Sequence, residues 1–177
     1  MATVRDLWHT GIALATLALV VTFVVAWPVG RLIADRFGRP RLATALFVAA
    51  VGVVMALTLT PNYPDPGDLP PPVHFLYYIG DLHHVWADLT SAPMDPEQIA
   101  NIALYVPVGL FGRFVWRSAI AAAAFGTVLT VVIETCQLWI VGRDGSLTDI
   151  RNNAAGAILG ALVGAVAARV IRHPTGD

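Results

Sequence analysis

Five apolar runs, each close to the length needed to cross a bilayer, constrain this chain more than any motif in it. Leu7–Val29, Leu42–Thr60, Ile99–Trp116, Ser118–Val141 and Ala154–Ile171 each approach the roughly 20 residues that cross about 30 Å of hydrocarbon as a helix. Composition agrees: 56% of residues are hydrophobic, 13% are charged and the mean hydropathy is +0.67. A soluble domain of 177 residues has no core large enough to hide so much apolar surface. The expected fold is an all-α integral membrane protein with about five transmembrane helices and one outer interfacial or re-entrant helix. Residues 1–60 would supply two N-terminal spans, 61–98 an external proline-rich segment, and 99–173 a core of three spans. Membrane lipids are then obligatory neighbours, and nothing in the chain suggests nucleic acid.

Orientation follows from the positive charges, because short translocated loops are poor in them. Every basic side chain is an arginine, and Arg31, Arg36, Arg39 and Arg41 crowd the link between the first two spans. With Arg113, Arg117, Arg169 and Arg172 on the same side, the N-terminus is expected outside and the C-terminus in the cytoplasm. Trp8, Trp27, Trp116 and Trp139 fall near predicted span ends, where indole rings anchor. The first run differs from a cleaved leader in its length, its weak leading charge and the arginines that follow it, so a retained helix is expected. The absence of lysine suggests GC-rich coding, hence a bacterial cytoplasmic membrane.

The external segment opens with Pro61, Pro64, Pro66 and Pro70–Pro72, which impose an extended backbone. An aromatic-rich stretch from His74 to Leu89 follows and reads as a helix lying on the outer leaflet. Asp81, His84 and Asp88 share a helical face there, but no cysteine or glutamate completes a familiar ligand set, and neither a metal nor a cofactor is expected. The single cysteine, Cys136, has no His or Asp beside it and reads as packing.

Glu134 interrupts the fourth run. An ionisable group in hydrocarbon costs several kcal/mol unless a partner or a polar cavity receives it, which makes it a functional-site candidate by default. Thr127, Thr130, Glu134 and Gln137 form one stripe of a helix that is otherwise Val, Leu, Ile and Ala. Counted back from Val141, Glu134 lies on the order of 10 Å below the outer surface. Asn101 and Asn153, at the outer ends of the neighbouring spans, reach the same level. Between the spans, Gly142–Arg151 carries Arg143, Asp144 and Asp149, with Ser146 or Thr148 as a candidate cap of the fifth helix and Asp149 in its first turn; Arg143 either pairs with a neighbouring carboxylate or reaches an anionic group of a ligand, and spacing alone leaves both open. Gly156, Gly160 and Gly164 recur every fourth residue, a face for close helix packing within or between protomers. A homo-oligomer is compatible with it. The candidate polar cluster is therefore Asn101, Glu134, Gln137, Arg143, Asp149 and Asn153.

Asn101-xxx-Tyr105-x-Pro107-x-Gly109, Glu134-xx-Gln137, Arg143 with Asp149 six positions on, and Asn153-xx-Gly156-xxx-Gly160 together resemble the VanZ-like membrane protein family over Gln98–Gly164. His74-Phe75-xx-Tyr78 is similar to an upstream element of that family, with Pro70 where an acidic residue is usual. The resemblance implies a bacterial envelope protein associated with lowered susceptibility to teicoplanin. Three readings follow. In the first, an outward polar pocket binds a lipid, a lipidated compound or a cell-wall precursor without chemistry. In the second, an intramembrane enzyme acts on a lipid-linked substrate with Glu134 as acid or base. In the third, the chain is a structural or transporter subunit. No Ser-His, Cys-His or metal set accompanies Glu134, which ranks the first reading above the second.

Overall fold

The computed structural model describes residues 4–61, 81–90, 95–140, 143 and 145–172, which contain helices and short connections and no strand. The helices are α1 (Val4–Phe37), α2 (Arg41–Thr58), α3 (Leu82–Thr90), α4 (Pro96–Trp116), α5 (Ala119–Gln137) and α6 (Leu147–Arg172). All except α3 are long and apolar enough to cross a membrane. The proline-rich stretch and the His74-Phe75 element lie outside the described residues, as do the side chains of His84 and Asp88.

Local chemistry sets the helix limits. α1 continues past Val29 to Phe37, with Pro28 inside it and Arg31, Asp35 and Arg36 on its last turns. It stops at Gly38, whose φ of 61° suits glycine, and the Arg39 N–H returns to the Ala34 carbonyl at 2.9 Å. α4 starts where Asp95 accepts from the Gln98 N–H at 2.8 Å, with Pro96 in the first turn. α5 is capped by Ser118, which accepts from the Ala121 N–H. The largest departure from the hydropathy pattern is α6. Its apolar run begins at Ala154, but Ser146 Oγ accepts from the Asp149 N–H at 3.2 Å and starts the helix at Leu147. Asp149, Asn152 and Asn153 are thus helical rather than part of a loop.

Helices α4 and α6 form the closest contact of the molecule. Gly156, Gly160 and Gly164 of α6 lie against the carbonyl oxygens of Ile102, Val106 and Leu110 of α4, and Gly109 of α4 lies against the Ala157 carbonyl. Both numberings rise together, so the two helices run parallel. A Cβ at these glycines would intrude on backbone oxygen, whereas the bare Cα allows Cα–H···O contacts, each worth about 0.5–1 kcal/mol. Helix α5 returns antiparallel beside them, with Gly126 against Ala157. Helix α2 covers α4 and α5 and completes a core of Val54, Tyr105, Val108, Ile133 and Ala157. Near the arginine-rich end Phe47, Trp116 and Phe125 pack with ring centroids 4.8–5.4 Å apart, tying α2, α4 and α5 together. Among the described residues α1 packs on α2 alone, through Gly30 against Ala45 and Thr22 against Gly52. Its other face exposes Leu17, Phe23, Val24 and Leu32, as a lipid-facing helix does.

Replacing Gly160 by leucine forces α4 and α6 apart and should cost about 3 kcal/mol or more, since overpacking against backbone has no relaxed rotamer. Leu159→Ala, at a half-exposed neighbouring position, should be tolerated. Membrane levels and the melting temperature of the detergent-solubilised protein, compared between the two variants, test the seam.

Candidate functional site

The polar residues of the core fall into two layers, and each of three helices contributes one residue to each layer at a spacing of four. On α4 these are Asn101 and Tyr105, on α5 Glu134 and Thr130, and on α6 Asp149 and Asn153. Residues four apart on a helix stand one above the other, so the three pairs stack. In the outer layer Asn101 Nδ2 donates to Asp149 Oδ1 at 2.7 Å, and Glu134 Oε2 accepts the Ser146 N–H at 3.0 Å. In the inner layer Asn153 Nδ2 donates to Thr130 Oγ1 at 3.0 Å, and the Tyr105 hydroxyl lies beside Thr130 without a well-formed bond. Tyr105, Thr130, Glu134 and Asn153 are at most 2% exposed, so the layers are interior rather than surface features.

Glu134 lies nearer the end of its helix than its place in the apolar run indicates. α5 ends at Gln137, three residues later, and the chain then turns through i to i−3 bonds from Trp139 to Cys136 and from Ile140 to Gln137. Glu134 therefore occupies the last turn, about 5 Å along the axis from the helix end. The connection folds back over that end, which Gly145 permits: a Cβ there would sit 2.8 Å from the Glu134 carbonyl oxygen. Only because the backbone comes this close can the Ser146 N–H reach the carboxylate, while the Ser146 hydroxyl caps α6. One residue thus links the buried acid to the start of the next helix.

Gln137 and Arg143 serve a different helix at the same end of the bundle. The last four carbonyls of a helix have no partner within it, and a helix ending in hydrocarbon must find others. At the end of α2 the Met55 carbonyl receives the Leu59 N–H, the Ala56 carbonyl receives the Thr60 hydroxyl, and the Thr58 carbonyl receives Gln137 Nε2 at 3.1 Å. Arg143 completes the set, donating from Nη2 to the Leu57 carbonyl at 2.7 Å and from Nε to the Thr60 carbonyl at 3.0 Å. A cation here also faces the negative end of the helix dipole. Burial holds the Arg143 guanidinium below its ordinary pKa, against the opposing pull of Glu134 and Glu97, yet it stays charged as arginine does. The described contacts of the Arg143 guanidinium give it a role that spacing did not raise, the capping of a helix; Asp144, a carboxylate it could pair with, lies outside the described residues.

Sequence reasoning passed over several groups. Tyr105 stands within the quoted motif, Thr130 on the quoted stripe, and Asn152 one turn before Gly156. Since Gly156 lies on Ile102, that register sets Asn152 alongside Gln98. The α2 carbonyls carry no side-chain signal, so they were invisible to it. The protein leaves some of this polar capacity unfilled. The Tyr105 hydroxyl, Asn153 Oδ1, Asn152 Nδ2 and Gln98 Oε1 are buried and have no hydrogen-bond partner among the described residues, an arrangement that costs about 1–3 kcal/mol per group unless something polar joins it.

A family model described as VanZ/LLP1 matches residues 46–168, more than two thirds of the chain. No curated protein and no solved structure matches it. The matched region begins inside α2 and stops inside α6, so it contains every polar side chain of the two layers and of the α2 cap, while α1 falls outside it.

Arg143→Gln should orphan the Leu57 and Thr60 carbonyls and destabilise the protein by about 2–3 kcal/mol. Arg143→Lys, a point charge without the fork, should recover part of that loss. Melting curves of the two purified variants test the capping role; an unchanged melting temperature in Arg143→Gln would refute it.

Proposed function

Since the chain belongs to the VanZ/LLP1 family, we propose that it is a non-enzymatic protein of a bacterial cytoplasmic membrane whose two polar layers receive the head of a lipid, a lipidated compound or a cell-wall precursor. Through that binding it lowers susceptibility to teicoplanin-type lipoglycopeptides. The observation that carries this reading is the set of buried, unpartnered polar atoms around Tyr105, Asn152 and Asn153, next to two carboxylates and between membrane-crossing helices.

Charge narrows the ligand. Two carboxylates, Glu134 and Asp149, share the outer layer, and Asp95 and Glu97 add their fields to Asp149. The nearest guanidinium, Arg143, already spends two N–H groups on α2. Such a site suits hydroxyl, amide or ammonium donors on an amphipathic molecule and disfavours a free phosphate. A lipoglycopeptide offers those donors beside an acyl chain, which the surrounding bilayer accommodates.

In the proposed orientation the two layers lie toward the outer leaflet and the α1–α2 turn faces the cytoplasm, with the N-terminus outside. Arg39→Cys and Glu97→Cys, each in a Cys136→Ala background, report the two ends to a membrane-impermeant thiol reagent. Intact cells should label position 97 and protect position 39; the reverse pattern would invert the site.

For the binding role, Glu134→Gln keeps the shape and the bond from Ser146 while removing the charge. It should accumulate in the membrane at least as well as the parent, since a buried charge is expensive, and a strain carrying it in place of the native gene should be as drug-sensitive as one lacking the protein. Full protection from well-expressed Glu134→Gln would show that the carboxylate serves packing alone.

A further inference from the structure

At the opposite end of the bundle, the α1–α2 turn and the last turns of α4 and α6 form a cleft lined by Pro40, Arg113, Phe114, Arg117, Ala168 and Ile171. Its two guanidiniums are placed by features already described. The Arg113 stem lies along the glycine stripe of α6, where a Cβ on Gly164 would come within 3.0 Å of it. Arg117 closes α4 in the left-handed conformation, φ 58°, and donates to the Gly38 carbonyl at 3.3 Å. Neither is in an ion pair among the described residues. The one described carboxylate of this end, Asp35, is engaged by Arg41 at 2.7 Å and Arg31 at 3.7 Å.

Exclusion of arginine from translocated loops accounts for how many arginines gather at this end. It does not account for two of them lining one cleft whose remaining wall is Phe114, Ala168 and Ile171. A pair of guanidiniums beside an apolar wall fits a phosphate that carries acyl chains. Helix dipoles do not favour an anion here, because the C-termini of α1, α4 and α6 and the N-termini of α2 and α5 meet at this end with opposite signs, so the attraction rests on the guanidiniums. Basic pockets between transmembrane helices are also a recurrent way of holding anionic head groups. We propose that this cleft binds the head group of an anionic phospholipid, with its phosphate on Arg113 and Arg117 and its chains along Phe114 and Ile171. The site is separate from the polar layers around Glu134 and does not depend on the role given to them.

Native mass spectrometry of the full chain in detergent, with phosphatidylglycerol and phosphatidylcholine added in equal amounts, reads the preference directly. The parent should retain phosphatidylglycerol selectively. Arg113→Gln combined with Arg117→Asn, asparagine being a residue that tolerates the left-handed conformation, should lose roughly twenty-fivefold of that selectivity, at about fivefold per arginine. Arg113→Gln alone leaves the left-handed residue untouched and should lose about fivefold, which keeps the test valid if the double variant does not fold. Arg36→Gln combined with Arg39→Gln removes the same charge from the same end and should change little. Equal retention of both lipids, an equal loss in the Arg36 and Arg39 control, unchanged selectivity in Arg113→Gln, or displacement of the lipid by inorganic phosphate would each overturn the assignment.

Discussion

The approach of α4 to α6 sets the distances on which the rest of the structure depends. Two helices with side chains between them stand 8–10 Å apart, but here glycine Cα atoms rest directly on carbonyl oxygens at three successive turns. At that separation short polar side chains at the outer ends can meet without extending: Asn101 reaches Asp149 and holds it at 2.7 Å. The same closeness positions Ala157 beneath Gly126, which brings α5 in until Thr130 touches Asn153. Widening the seam by the radius of one methyl group would break bonds in both polar layers. Packing and polar chemistry are in this sense one feature, and a glycine with no polar atom of its own positions the carboxylates.

A second constraint comes from the end of α2. Its terminal carbonyls must be paired, and the residues that pair them, Gln137 and Arg143, sit on either side of the turn that follows α5. Because Arg143 bonds the carbonyls of Leu57 in α2 and of Thr60 just beyond it, the connection is pulled across the end of the bundle. Ser146 is thereby delivered to Glu134, and α6 can begin at Leu147. The order of cause runs from an unsatisfied helix end to the loop path and then to the neighbourhood of the buried acid. It explains why a charged residue in this loop points back into protein rather than into solvent.

How much of this the sequence could disclose differs by residue. Five spans were legible because hydrocarbon thickness demands long apolar runs, and α2 and α4 begin and end within a few residues of theirs. The start of α6 was legible in its capping residues, Ser146 or Thr148 with Asp149 in the first turn, of which Ser146 is the cap, but not in hydropathy, which Asp149, Asn152 and Asn153 lower over two turns. Glu134 stood out as a carboxylate in an apolar run, but its partner is a backbone N–H, which no side chain advertises. The glycine ladder disclosed that some helix approaches closely, while the identity of that helix as α4 depends on how the chain returns through α5. The role of α2 was the least visible, because its contribution consists of main-chain carbonyls at Leu57, Thr58 and Thr60.

The engagement of Arg143 also bears on what the polar layers can do. If its guanidinium donated to Glu134 or Asp149, the polar layers would carry a paired charge, whereas here its field reaches Glu134 without a hydrogen bond. With two of its donors fixed at the end of α2, the two carboxylates have, among the described residues, one amide side chain, Asn101, and one backbone N–H as donors in their layer. Hydrogen-bond acceptors are in excess there, and in a medium of low dielectric that excess is costly. The groups one turn deeper that lack a partner among the described residues, a tyrosine hydroxyl and an asparagine oxygen, include both a donor and an acceptor, so the proposed ligand would meet acceptors first and mixed partners below. The gradient favours an entrant that leads with donors and can present both kinds of group, which a sugar hydroxyl or an amide does and a phosphate does not.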